Sequence, residues 1–132
     1  MKGITSKIPK TLTLGTILPC TDNSGAKTVR VVGALQYRGT RRRNPSVGVG
    51  DIAIASVRKG KPDLIKKVVK ALVVRQKKEY RRANGTRILF EDNAVVLVND
   101  DFLPVGTEIK GVVAREIAER FPKVAAISAG VV

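Results

Sequence analysis

The chain has no histidine, no tryptophan and a single cysteine, Cys20. Without histidine there is no ready base near neutral pH and no Cys–His pair for nucleophilic catalysis. A single cysteine excludes an internal disulfide, and with no histidine to supplement it there is no zinc site of the multi-cysteine type. A reducing cytosol suits this usage, and Cys20 itself reads as a small packing residue, because nothing beside it raises its thiolate fraction. Long apolar runs are also missing. The N-terminal MKGITSKIPK is basic but leads into TLTLGTILPC, neither a secretory signal nor a membrane span, so a soluble protein is expected. Aromatics make up only 4% of the residues. The core is therefore expected to be built from Val, Ile, Leu and Ala, a composition that favours strands.

What is present is positive charge. The 132 residues carry 25 Lys and Arg against 11 Asp and Glu, a net charge of +14, and 43% of the residues are hydrophobic. That is one domain's worth of chain with enough apolar content for a core, and a surface suited to a polyanion. The charge is clustered: residues 26–87 hold 18 bases and 3 acids, whereas residues 88–132 hold 4 bases and 7 acids. A basic surface made only for solubility would intersperse its charges.

Five β segments are expected. Residues 13–20 form the first, and Asp22-Asn23-Ser24-Gly25 turns the chain into the second, 29–38. There Val29, Val31, Leu35 and Tyr37 alternate with Arg30, Gln36 and Arg38, and Gly33 interrupts the inward row as a bulge would. The third starts at Asp51, followed by KPDLIKK as a short helix; the fourth is 68–75 and the fifth 94–99. Short connections without a βαβ crossover predict a small antiparallel sheet curled into a five-stranded barrel. In the tail Ala114, Ile117, Ala118 and Phe121 recur at helical spacing, so a short amphipathic helix ends near Pro122, with Glu116 and Arg120 as an i, i+4 pair. The final KVAAISAGVV either packs back on the sheet or meets a partner.

Residues 75–93, RQKKEYRRANGTRILFEDN, predict a hairpin turning on Asn84-Gly85. A two-residue loop opposes Lys77 to Asp92 and Lys78 to Glu91, but also Arg82 to Arg87, and like charges facing across a sheet are unfavourable. The mismatch at the tip is read as a demand for an anion supplied from outside. A second basic stretch is RGTRRRNP, where Arg38, Arg41, Arg42, Arg43 and Asn44 lie in a loop with no apolar face to serve. Planar guanidinium forks suit phosphate. Arg58, Lys59 and Lys61, then Lys66, Lys67 and Lys70, add two further clusters, some of them ordinary surface lysines.

Catalytic chemistry is poorly supplied: no catalytic residue, metal ligand or cofactor motif is assigned. SVGVGD is glycine-rich but lacks the lysine and hydroxyl of a P-loop and precedes a strand, so it reads as a turn. RNA is favoured over DNA, because no helix has the length and basic face for a major groove. With so few aromatics, shape and phosphate recognition of a folded RNA fits better than base stacking along a strand.

Residues 71–97, ALVVRQKKEYRRANGTRILFEDNAVVL, closely resemble the signature of the universal large-subunit ribosomal protein fourteen, the L-fourteen family. A small residue and three aliphatics (Ala71, Leu72, Val73, Val74) precede the turn Asn84-Gly85, the aromatic Phe90, Asn93 and the aliphatic pair Val96 and Leu97. DNSGA, the arginine loop running into VGVGD, and GVVAREIAERF resemble it too, over residues 13–132. The residues before Leu14 look more like the archaeal or eukaryotic branch. The resemblance implies a mainly β fold: a small five-stranded OB-like antiparallel β-barrel with a projecting β-hairpin ribbon and short C-terminal helices. It divides a single domain, 1–132, into an N-terminal extension (1–12), a barrel with ribbon (13–110) and a helical part (111–132).

The resemblance further implies a structural constituent of the large ribosomal subunit, cytoplasmic in the ribosome. Such a protein binds large-subunit rRNA and bridges to small-subunit rRNA, beside the large-subunit proteins three and twenty-four-e. The rRNA contacts expected are Arg38, Arg41, Arg42, Arg43, Asn44, Arg58, Lys59, Lys61, Lys66, Lys67, Arg75, Lys77, Lys78, Arg81, Arg82 and Arg87. Val113, Ile117, Phe121, Val124 and Ile127 are the expected protein contacts. The competing reading is a free-standing OB-type module for single-stranded nucleic acid, acting outside any large assembly.

Overall fold

A computed structural model describes residues 3–132. The chain forms β1 (Leu12–Thr13), β2 (Ile17–Pro19), β3 (Ala26–Ala34), β4 (Ser46–Val47), β5 (Ile52–Gly60), β6 (Val68–Arg75), β7 (Tyr80–Arg81), β8 (Arg87–Ile88), β9 (Ala94–Val98) and β10 (Ile109–Val113). Two short helices, α1 (Arg115–Arg120) and α2 (Pro122–Ala126), and a last strand, β11 (Ser128–Val131), complete it. The fold is mainly β, and no helix among the described residues is long and apolar enough to cross a membrane.

Its centre is a five-stranded antiparallel sheet in the order β2-β3-β5-β6-β9. Among the described residues the edges of this sheet meet at one bridge just past β2, Cys20 to Val95 of β9, where the Thr21 N–H donates to the Val95 carbonyl at 3.0 Å. Hydrogen-bonded strands therefore do not complete the closed barrel expected above. Further along the gap a side chain takes the place of a strand: the buried Asp22 carboxylate accepts the Leu97 N–H at 3.0 Å and the Ser24 hydroxyl at 2.7 Å.

Burial follows the two-residue period from Val29 to Val32, where Val29 and Val31 are buried while Arg30 and Val32 are exposed; Ala26, also buried, lies beyond register shifts on either side of Thr28. The ladder to β5 slips between Val31 and Gly33, as the glycine predicted. Beyond Ala34 the strand ends earlier than expected. Gln36 turns left-handed at φ 57°, so Leu35 is half-buried and Tyr37 lies exposed instead of facing the core. All five residues of β9 are buried, since both its faces are covered.

KPDLIKK is a turn, not a helix. Lys66, at φ 69°, reverses the chain, and Val57 exchanges backbone hydrogen bonds with Lys66 and Lys67 at 2.9 and 3.0 Å. Extending the β5 ladder engages the backbone that a helix would have used for itself. At the C-terminus the tail packs back on the fold: β11 lies parallel to β10, Ile109 opposite Ser128 and Val113 opposite Val131. Pro122 ends α1 and opens α2, where its missing N–H is no loss.

Candidate nucleic-acid interface

The hairpin turns differently from expectation. The Gly85 N–H reaches the Arg82 carbonyl at 2.9 Å, the Arg82 N–H reaches the Thr86 carbonyl at 2.8 Å, and Gly85 is left-handed at φ 88°. Ala83, Asn84 and Gly85 thus form a three-residue loop, a tight turn followed by a left-handed glycine. The extra loop residue shifts the pairing by one: Tyr80 faces Ile88 and Arg81 faces Arg87. The opposed pair of arginines survives, with Arg81 replacing Arg82. Both Arg81 and Arg87 are exposed.

Arg82 goes inward instead. Its Nε donates to Glu116 Oε1 at 3.0 Å and its Nη2 to an oxygen of Val132 at 2.6 Å, and it is only 8% exposed. Glu116 also accepts the Tyr80 hydroxyl at 2.8 Å and the Ser6 hydroxyl at 2.7 Å. Burial pushes the Glu116 carboxyl up, but hydrogen bonds from Arg82, Ser6, its own backbone and Tyr80 outweigh this and hold it below 4.5. Burial and then the Glu116 carboxylate push the Tyr80 phenol well above its ordinary range, so its hydroxyl remains a donor. Glu116 therefore serves Arg82 rather than Arg120, whose Nη1 caps the Gly50 carbonyl at 3.3 Å.

This network, with Lys7 bridged to Arg81, ties the ribbon to α1 and to the N-terminal segment. It does not project freely. The base of the hairpin is also rearranged, because Asp92 pairs with Arg75 at 3.0 Å and Lys78 with its neighbour Glu79 at 2.9 Å. The Lys77 N–H instead donates to the Asn93 side chain at 2.8 Å.

Arg75 and Arg82 are thus buried ties within the fold, unable to present their guanidinium groups to phosphate in this conformation. Arg75 Nη1 holds the Val112 carbonyl at 2.9 Å, joining β6 to β10. Val113, Ile117, Phe121 and Val124 are buried in the core, and Ile127 packs half-buried against it, so the expected protein-facing surface is largely interior. Apolar residues at helical spacing served the chain's own sheet. Gln76, fully buried, was not anticipated either: its side chain accepts the Val49 N–H at 3.0 Å and donates to the Lys78 carbonyl at 3.0 Å.

The remaining predicted contacts share one property. Arg38, Arg41, Arg42, Arg43, Asn44, Arg58, Lys59, Lys61, Lys66, Lys67, Lys77, Arg81 and Arg87 are all exposed. None of their basic groups forms an ion pair among the described residues. They fall into three groups. The arginine loop leaves one end of the β3–β5 ladder, beyond Ala34 and Ala53; Arg58, Lys59 and Lys61 mark the other end, with Lys66 and Lys67 in the next turn; Lys77, Arg81 and Arg87 belong to the ribbon. With nine residues in each strand, the first two groups lie roughly 25–30 Å apart at about 3.3 Å per residue. Between them Lys27 and Arg30, absent from the predicted contacts, add charge on the outer face of β3. No cluster of acidic, cysteine or histidine side chains among the described residues could hold a metal ion.

The family profile described as ribosomal protein L14p/L23e matches residues 11–132. The chain belongs to this family. It is a family of ribosomal proteins, not of enzymes. Among its similar relatives is the large ribosomal subunit protein uL14 of Methanoregula boonei, 55% identical over 128 residues and covering 97% of each chain. The protein of that name from Methanocorpusculum labreanum is 53% identical over the same length and coverage. That from Methanothrix thermoacetophila is 49% identical over 132 residues, the whole of both chains. These relatives are archaeal, in keeping with the branch expected from the N-terminal segment. The L14p/L23e match begins at residue 11, and the described residues just before it pack on the fold: Lys10 pairs with Asp51, and Ile8 packs against the core.

Proposed function

We propose that the chain is a structural constituent of the large ribosomal subunit in the cytoplasm, gripping large-subunit rRNA through its arginine loop, the β5 end and the ribbon. The observation that carries this reading is the set of exposed basic side chains without protein carboxylates, concentrated in one stretch of the chain. A surface that neutralised its own charge would have paired them. Arg81 and Arg87, opposed at the ribbon tip, gain most from a phosphate placed between them. The same tip would contribute to a bridge with small-subunit rRNA. Contacts with neighbouring ribosomal proteins, three and twenty-four-e by family likeness, fall to Ile127 and to Val131 and Val132, each 47% exposed.

The whole chain acts as one domain. In this reading its sheet is an OB-like barrel whose seam is sealed by Asp22 and the Cys20 bridge.

The decisive measurement is rRNA binding by the full chain across a salt series, compared with a variant carrying Arg41→Ala, Arg42→Ala and Arg43→Ala. Each phosphate that the variant no longer neutralises should flatten the log K against log salt slope by about 0.7 to 0.9. Thermal stability should hardly change, because exposed loop charges contribute little. A slope equal to wild type would remove the loop from the interface.

A further inference from the structure

Of the five aromatic side chains, Tyr80, Phe90 and Phe121 are buried, and Phe102 is half-buried with the Lys70 ammonium 5.8 Å from its ring centre. Tyr37 alone is exposed, at 42%. An exposed tyrosine by itself is ordinary; its surroundings here are not. It edges a cavity of about 380 Å³ at the root of the arginine loop, in the small part of the roughly 300 to 1,000 Å³ range of ligand pockets. That size suits one nucleotide rather than a run of strand.

The lining is divided by chemistry. Leu35 and Val47 supply apolar wall, while Lys10, Arg38 and Arg120 supply cations. The one acid, Asp51, is already engaged by Lys10 and by the Gly48 N–H at 3.0 Å. Arg120 is held in the wall by its Nη1, which donates to the Gly50 carbonyl at 3.3 Å. The hydroxyl end of Tyr37 lies against Gly39, in space that a side chain at that position would occupy. One flank of the ring therefore rests on backbone while the residue stays open to solvent.

We propose that this cavity receives a single unstacked RNA base, its face against Tyr37, its edge within reach of the Gln36 amide or the Ser46 hydroxyl, and its phosphate on Arg38. Unstacked bases splayed from loops are the usual points at which proteins read RNA, and aromatic rings hold them by stacking. The inference rests on the rRNA-binding reading and gives the arginine loop a second role, since its charges hold backbone while its one aromatic fixes a nucleotide.

The test uses the full chain and large-subunit rRNA, with wild type compared with Tyr37→Ala, Tyr37→Phe and Arg38→Ala across a salt series. Tyr37→Ala should weaken binding roughly five- to a hundredfold at every salt concentration, with an unchanged slope, because stacking releases no counterions. Tyr37→Phe should bind as wild type, whereas Arg38→Ala should flatten the slope. Short-wave ultraviolet cross-linking of the wild-type complex should leave a nucleotide adduct on Tyr37. Normal affinity in a folded Tyr37→Ala protein would overturn the pocket and leave the wider interface standing, and so would a flattened slope in that variant. Absence of salt-dependent rRNA binding by wild type would instead overturn the interface itself.

Discussion

Arg82 and Arg81 are adjacent, yet one carries its charge into the fold and the other out of it. Removing a member of a buried ion pair strands its partner, so Arg82→Ala should cost about 3 kcal/mol in urea unfolding, several times the cost of Arg81→Ala. Glu116 adds a pH dependence. Its folded pKa lies below the ordinary 4.5, so the stability it contributes is complete above the unfolded value and is lost as pH falls through the folded one. Stability curves of wild type and Glu116→Gln against pH should therefore stay a constant distance apart above about pH 4.5 and converge as the pH falls below it. Curves that stay parallel below it as well would show that Glu116 is not held by this network. At Cys20 burial, followed by hydrogen bonding and repulsion from Asp22, pushes the thiol up to about 12. Iodoacetamide should accordingly leave the native protein unlabelled at pH 8 and modify it in urea; rapid native labelling would contradict the assignment.

At the scale of elements, the legible features were those set by local chemistry. Gly33 announced its bulge, and the alternation of Val29 and Val31 announced the inner face of β3. The fates of Arg82 and Tyr37 were hidden for a related reason: each depends on a single residue of register or turn. A two-residue loop places Arg82 at the tip, and a three-residue loop aims it at Glu116. KPDLIKK misled because its helix propensity is local, whereas the demand of β5 for two more hydrogen bonds is not. Nothing in the composition of the N-terminal segment announces its docking, yet Lys7 is bridged to Arg81 and Ser6 reaches Glu116. Deleting residues 1–10 should thus speed amide hydrogen exchange at Arg82 and Gly85 by at least tenfold, while β9 amides stay protected. Equal exchange in both proteins would mean that the segment only covers the ribbon.

For the whole molecule, the +14 charge and the family assignment point in one direction, and the competing single-strand module loses ground because one aromatic alone is exposed. Sedimentation of the endogenous protein separates the two: it should travel with large subunits, and recovery mainly in free fractions would sink the ribosomal reading. Composition made the partner's chemistry legible from the sequence. It could not show which bases are spent inside, because Arg75 and Arg82 differ from their exposed neighbours only in what the fold brings beside them.

The junction of Ser6, Tyr80, Arg82 and Glu116 also sets an order of events during synthesis. Its members are spread over 110 positions, and the carboxylate that unites them is made long after the hairpin it anchors. While the first five-sixths of the chain emerges, Arg82 lacks its Glu116 counter-charge and the ribbon has the N-terminal segment but not α1 to lie against. The sheet from β2 to β9 can assemble in that interval, since all its strands precede Glu116. The basic ribbon is then fixed last, so until α1 appears the nascent protein presents one more unpaired arginine than the finished one does.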